Sequence, residues 1–370
     1  MSEMMGIISL CESSEKLKDL TYMRTIATIP IGGRYRVIDF ILSNMVNSGI
    51  FNIAISTEGK ARSLYNHVGF GKSWDLDRKK DGLNIFNPEA SSIDVAQKKG
   101  DIEVFKLMLN KIKRSSQEYV LLSRSYMICN VEYKGMLKKH KESGADITIM
   151  FKQINNNKKK FIDCDTINLS EGLKVMSIGK NLCKRKHYNI SVEMYLMKKS
   201  ILIEIIEEAI YLGNVKYLKE SILNQVGQLK IYGYPFEGYL ACINSLENYY
   251  RTNMDFLDRD IQNELFENNG LVYTVVNDSP PTFYGDDSCT CNSLVSSGCI
   301  IEGVVENSIL SRNVHVKKGA IVRNCILMRN VVVNKTSSIN YMILEKNVVI
   351  GEKKILSGDE NHPYIIRNNI

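Results

Sequence analysis

The sequence predicts an α/β fold in two parts: a Rossmann-like domain with a mainly parallel sheet covered by helices, then a parallel β-helix. Two observations carry this. Over the first two thirds, short β-branched runs alternate with helical patterns, as strand and crossover helix do in parallel sheets. From about Ser293 the helical pattern stops and small or apolar residues recur every six positions.

The elements follow in order. "MMGIISL" reads as a first strand, "VIDFILSNMVNSG" as a helix closed by Gly49, "FNIAIST" as a strand and "KARSLYNHVG" as a helix closed by Gly69. "EYVLLSRSYMI" reads as a buried strand, "YKGMLKKHKESG" as an amphipathic helix ending at Gly144, and "ADITIMFKQI" as another strand. Such an arrangement places ligand chemistry at the carboxyl ends of the strands. Counting by six from Val314 reaches Ala320, Ile326, Val332, Ser338, Leu344 and Ile350, none of them charged. A hexapeptide β-helix puts one residue of each face inward per step, whereas an ordinary antiparallel domain shows a period of two. About three coils are expected, with an exposed edge that favours oligomerisation. The domain boundaries expected are 1–250 for the α/β domain, 251–291 for a linker and 292–370 for the β-helix.

Length, at 370 residues, and 44% hydrophobic content supply a substantial core. A net charge of +7, with Lys and Arg mixed among 41 acidic residues, gives no support to nucleic-acid binding. The basic run "NNNKKKF", Asn155 to Phe161, reads as a solvated loop. Nine cysteines without C-x-x-C spacing, no signal peptide and no apolar run of membrane-spanning length point to a reducing cytoplasm, without disulfides or a membrane anchor. Cys289, Cys291 and Cys299 fit no zinc spacing, and the five histidines lie elsewhere, so no metal site is expected.

The segment "RTIATIPIGGRYRVIDFILSNMVNSGI", Arg24 to Ile50, resembles the N-terminal motif of the glucose-1-phosphate adenylyltransferases (ADP-glucose pyrophosphorylases). "NSLVSSGCIIEGVVENSIL", Asn292 to Leu310, is similar to that family's entry into its left-handed β-helix. With the domain order, the resemblance covers almost the whole chain. It implies a nucleotidyltransferase (GT-A-like) domain and a family reaction in which ATP adenylylates glucose 1-phosphate. That chemistry requires neutralisation of a crowded triphosphate, in-line positioning and Mg²⁺ held on carboxylates.

This chain departs from the family wherever those groups are due. The glycine-rich turn G-G-x-G-T-R-L falls on "SLCESSEKL", Ser9 to Leu17, which has neither glycine nor arginine and brings Glu12 and Glu15 instead. The phosphate-facing lysine of R-A-K-P-A-V-P is Ile26. The first metal aspartate falls on Ser125 or Tyr126, and the second, in "EGYLACINSLENYY", on Ala241, while Tyr249 or Tyr250 keeps the aromatic end. In the sugar-phosphate loop, "SIGKN", Lys180 survives, a point charge able to hold a phosphate or to stand idle in solvent. Each such loss costs about 10²-fold to 10⁴-fold in rate, so no catalytic residue and no cofactor for catalysis is expected in this chain.

The pattern resembles the regulatory, GlgD-type subunit found beside a catalytic chain. It implies a mixed tetramer with the catalytic glucose-1-phosphate adenylyltransferase subunit, Mg²⁺ only in that partner, and a sugar-phosphate effector. The family's effector positions fall on Arg24, Arg36 and Lys346, where a guanidinium could grip a phosphate with two bonds or could simply pair with a carboxylate such as Asp39. Two other readings stand beside this one: an active sugar-phosphate nucleotidyltransferase with a rearranged site, and a stand-alone sugar-phosphate sensor or scaffold.

Overall fold

The computed structural model describes residues 2–88, 100–155, 160–184 and 186–370. Most of the "NNNKKKF" run, 156–159, lies outside the described residues. The chain forms two compact units: Met1–Ser13, Phe40–Cys242 and Asn269–Tyr273 make the first, and Ser14–Asp39, Ile243–Asn268 and Thr274–Ile370 the second.

In the first unit a nine-stranded sheet forms. From one side its order is Val175–Lys180, Asp165–Leu169, His187–Lys198, Tyr119–Arg124, Met4–Ser9, Asn52–Ser56 and Gly82–Phe86, with Ile147–Asn155 branching from His187–Lys198 and Ile231–Pro235 pairing with Ile147–Asn155. The strand Met4–Ser9 is buried throughout and parallel to both neighbours, as a continuous apolar run predicts. The expectation of a mainly parallel sheet holds for that half only. The twelve-residue strand His187–Lys198 runs antiparallel to Tyr119–Arg124 and to Ile147–Asn155.

Helices Asp101–Arg114, Lys199–Leu212 and Leu218–Asn224 bury an apolar stripe in one core, through residues such as Phe105, Met108, Ile205 and Ile222. Helix Lys134–Ser143 ends as expected at Gly144, whose φ of +60° suits glycine.

The second unit contains three parallel five-stranded sheets, the three faces of the left-handed β-helix. Five rungs form rather than three, the first opening at Phe283–Tyr284, upstream of the expected boundary at 292. One coil takes 17 residues, since His315 pairs with Val332 and Val332 with Val349. A strict count by six would need 18, so the comb slips. Val314, Ala320, Leu344 and Ile350 are fully buried, but Val332 and Ser338 are half-buried and their neighbours Val331 and Ser337 face the core instead. Aliphatic columns such as Val316, Val333 and Ile350 fill the interior.

This organisation differs from the expected linear division. The segment 251–291 carries the end of helix Leu246–Asp255, helix Arg259–Phe266 and the first β-helix strands. The segment 14–39, which holds most of the distinctive N-terminal motif, groups with the β-helix. Its "IGG" turn explains why. A Cβ on Gly33, at φ +78°, would lie 2.8 Å from Ser296 Oγ and 3.2 Å from the Leu310 carbonyl oxygen, and the Gly32 N–H donates to Asn253 Oδ1 at 3.0 Å.

Candidate functional site

The site expected for a nucleotide begins where Met4–Ser9 and Tyr119–Arg124 end side by side, with Ser9 opposite Arg124. Arg124 is buried there. Its Nη1 donates to Ser9 Oγ at 3.0 Å and its Nη2 to Asp101 Oδ2 at 3.3 Å, while Ser9 Oγ donates to the same Asp101 oxygen at 3.0 Å. Asp101 opens its helix behind Gly100, where any Cβ would press to 2.1 Å from the Lys216 carbonyl oxygen. The other Asp101 oxygen accepts the Leu218 N–H at 2.6 Å. Burial works against the Arg124 charge, but Asp101, Glu12 and Glu193 outweigh it and hold the guanidinium protonated well above its ordinary range.

The turn "CESSEK" supplies an acid in place of a phosphate cradle. Glu12 Oε1 accepts both the Ser125 N–H, at 2.7 Å, and the Ser125 hydroxyl, at 2.9 Å. Loss of hydration pushes the Glu12 carboxyl up, against the lowering effects of Arg124 and the Ser125 bonds. Glu15 points into solvent.

Beyond Ser125 the network continues. The Tyr126 hydroxyl donates to Glu193 Oε1 at 2.5 Å, and Lys219 Nζ reaches the same oxygen at 2.5 Å. Lys219 also pairs with Asp165 at 2.6 Å, and Asp165 pairs with Lys180 at 2.5 Å. Lys219 is held above the ordinary lysine range by Glu193, Tyr195 and Asp165 although burial opposes it, and these cations hold Asp165 below the usual carboxylate range. Glu193 is 2% exposed and adopts φ +56° within its strand, at the register irregularity between Ser191 and Tyr195. A glutamate in the left-handed region is strained, and the ion pairs offset that strain.

Three cations, Arg124, Lys180 and Lys219, thus face four carboxylates, Glu12, Asp101, Asp165 and Glu193. Within this network, among the described residues, no surplus positive charge remains for a triphosphate. The cavity bounded by Ser9, Asp101, Arg124, Glu193, Leu218 and Lys219 measures about 10 Å³, room for about one water molecule. Small-molecule sites usually need several hundred cubic ångströms.

The predicted positions fall as follows. Ser125 and Tyr126 are both in this network, and Ala241 lies on the two-residue strand Ala241–Cys242, paired with Met127–Ile128 beside it. Cys242 Sγ sits 3.3 Å from Cys164 Sγ, and burial pushes the Cys242 thiol well above its ordinary value. Ile26 is buried in a short 3₁₀ turn of the second unit, Ile26–Thr28. Lys180 is 57% exposed and already occupied by Asp165.

The residues present do not fit Mg²⁺. The two expected aspartate positions carry no carboxylate, and the nearby acids are consumed by Arg124 and Lys219. Among the described residues no group of three or more His, Cys, Asp and Glu side chains could hold a metal ion. Cys289 and Cys291 are exposed, whereas Cys299 is buried with its thiol on the Ser311 carbonyl. Among the described residues no helix is long and apolar enough to cross a membrane.

The three effector positions divide. Arg24 pairs with a carboxylate, although with Glu345 rather than Asp39: its Nη2 lies 2.7 and 2.6 Å from the two Glu345 oxygens. Arg36 donates its backbone N–H to Asp39 Oδ2 at 2.9 Å. Its guanidinium is pushed below the ordinary arginine range, first by burial, with Asp39 opposing and Arg24 and Arg312 adding to the depression. Arg312 is lowered likewise by burial, then by Arg34 and Arg329, with Asp39 opposing.

Lys346 is exposed and completes a column. Arg312, Arg329 and Lys346 stand 17 residues apart, one per coil, as the Asn330 N–H to Arg312 O bond of 3.1 Å and the Asn347 N–H to Arg329 O bond of 3.0 Å require. Arg34 and Arg329 lie near Arg312, and Arg36 and Arg312 both feel Asp39. The sequence reading missed Arg312 and Arg329 because a six-residue count does not align them, where a count of 17 would have; it missed Arg34, in the N-terminal motif, as well.

It also missed Asp101, Arg124, Asp165, Glu193 and Lys219. A signal existed: Arg124 and Glu193 are charged residues inside otherwise apolar strands, "YVLLSR" and "NISVEMYLM".

A family model described as "Nucleotidyl transferase" matches residues 12–161, and one described as "GlmU-like, C-terminal hexapeptide" matches 281–363. The glycogen biosynthesis protein GlgD of Bacillus subtilis (strain 168) is 36% identical over 318 residues, covering 86% of this chain and 82% of the relative. That of Geobacillus stearothermophilus is 34% identical over 321 residues, 86% of this chain and 83% of the relative. The glucose-1-phosphate adenylyltransferase of Clostridium perfringens (strain 13 / Type A) is 31% identical over 329 residues, 86% and 81% respectively. With both halves of the fold in place, the chain belongs to the family of GlgD glycogen biosynthesis proteins and glucose-1-phosphate adenylyltransferases.

Proposed function

We propose that this chain is a non-catalytic, regulatory subunit in cytoplasmic glycogen biosynthesis, acting on a catalytic glucose-1-phosphate adenylyltransferase chain in a mixed tetramer. The observation that carries the non-catalytic half is the cluster around a cavity of only about 10 Å³ in which Arg124 and Lys219 are neutralised by this chain's own acids. A nucleotide would have to break buried ion pairs to enter, and removing one partner of such a pair costs about 3–5 kcal/mol.

The regulatory half is supported by the second unit. Arg34, Arg36, Arg312, Arg329 and Lys346 suit a phosphorylated effector, since two of these guanidiniums are already disfavoured by burial and an anion would relieve that cost. Arg24, committed to Glu345, positions the N-terminal segment rather than binding ligand. Lys180 contributes to closing the first site.

The test is co-purification with the catalytic chain, followed by kinetics of pyrophosphate release with and without this chain. An altered apparent substrate affinity or sugar-phosphate response, with no turnover by this chain alone, is the expected result. Unchanged kinetics on mixing would overturn the regulatory reading. Turnover by this chain alone would favour a rearranged enzyme.

A further inference from the structure

The second unit carries a groove of about 520 Å³, far larger than the closed pocket and within the usual range for a small-molecule site. Helix Leu246–Asp255 forms one wall. The other is a corner of the β-helix, where Asn292, Asn307, Asn324 and Tyr341 follow one another coil by coil. All four have φ between +42° and +52°. Asparagine tolerates this left-handed conformation and pays for it with a stacked amide ladder; tyrosine does neither.

The same β-helix shows the regular solution elsewhere. Asn313, Asn330 and Asn347 occupy a parallel corner at φ +60°, +61° and +65°, joined by amide bonds of 3.2 and 2.9 Å. In the groove corner the ladder starts the same way, Asn292 Nδ2 donating to Asn307 Oδ1 at 2.7 Å, and Asn324 Nδ2 turns to Asn340 Oδ1 at 2.9 Å. The next rung is Tyr341. Its hydroxyl has no hydrogen-bond partner among the described residues. The chain has therefore accepted a strained tyrosine, lining an open groove, at a rung where asparagine fits.

The rest of the lining narrows the ligand. Tyr250 is fixed beside it by a 2.7 Å bond from its hydroxyl to the Asn324 carbonyl. Glu247, Asp255, Asp258 and Glu360 outnumber the one cation, Arg251, so a phosphate or nucleotide would be repelled. Carboxylates and amides beside tyrosine and the apolar Met254 and Ile261 suit a ligand with many neutral hydroxyls and apolar C–H faces. We propose that this groove binds a neutral oligosaccharide, with Tyr341 as its stacking platform. The proposal goes beyond the regulatory reading and rests on it only for the choice of an α-glucan probe.

The test is titration of the full chain, alone, with maltotetraose and with cellotetraose, followed by calorimetry and by saturation-transfer NMR. Binding of either tetrasaccharide is expected, with Tyr341→Phe within about threefold of the parent and Tyr341→Asn at least about tenfold weaker. Tyr341→Asn puts at φ +52° a residue that tolerates the left-handed region and should melt no lower than the parent, so its loss of binding cannot be ascribed to unfolding. Absence of binding by either sugar at about 10 mM would overturn the proposal, as would a Tyr341→Asn variant that binds as well as the parent. Spermine binding to the groove without any saccharide binding would likewise overturn it, assigning the acids to a cation. Because no catalytic partner is present, these outcomes are independent of the adenylyltransferase kinetics.

Discussion

Two charged regions of this chain use arginine in opposite ways. At the strand ends of the first unit, Arg124 is enclosed by Asp101, Glu12 and Glu193, and Lys219 by Glu193 and Asp165. In the second unit, Arg36 and Arg312 both feel the one acid Asp39, and burial, then neighbouring arginines, lower both guanidiniums; Arg34 and Arg329 lie close enough to Arg312 to repel it. The first region has completed its electrostatics internally, whereas in the second burial and neighbouring arginines work against the charge of Arg36 and Arg312.

The comparison breaks most forcefully at Arg124. Arg124→Ala should leave Asp101 and Glu12 without their cation, while Glu193 keeps Lys219, and cost about 3–5 kcal/mol, read by urea denaturation. A loss below about 1 kcal/mol would mean the network is solvated and the pocket is not closed. The next effect is steric. Gly33→Ala should cost about 2 kcal/mol and lower the melting temperature of the β-helix unit, because the new Cβ meets Ser296 and Leu310 at positive φ. That result would sharpen the finding that the N-terminal motif serves the second unit.

A third, smaller effect concerns His140 in the first unit. It is buried, hydrogen-bonded to Thr148 Oγ1 at 2.8 Å, and lowered from 6.5 to about 4, chiefly by burial, with Asp146 opposing and Lys198 and Lys141 assisting. Between those values the unfolded chain takes up a proton that the folded chain refuses, so stability falls as pH drops from about 6.5 towards 4. The expected loss is roughly 1–2 kcal/mol, and His140→Gln should flatten the profile. The second region gives the mildest effects. Arg312→Ala should weaken binding of a phosphorylated effector about tenfold, and the exposed Lys346→Ala about threefold with the greater salt dependence, both by calorimetry.

Much of this was legible in the sequence. Apolar runs and glycine stops placed Met4–Ser9, Asn52–Ser56 and the helix ending at Gly144, because local period and positive φ are properties of neighbouring residues. The repeat announced a β-helix but misplaced Val332, since one corner is a residue shorter than the ideal and the drift only shows in pairing register. Loss of catalytic groups at Ile26, Ser125 and Ala241 could be read as absence. What filled the space could not, because Arg124, Asp101, Glu193 and Lys219 come from four separated segments that meet only through the sheet and its helices.

The most direct test of the sealed site is calorimetric titration of the purified chain with Mg²⁺–ATP. The account predicts no saturable heat at millimolar nucleotide. Saturable micromolar binding that Glu193→Ala or Arg124→Ala alters would contradict it.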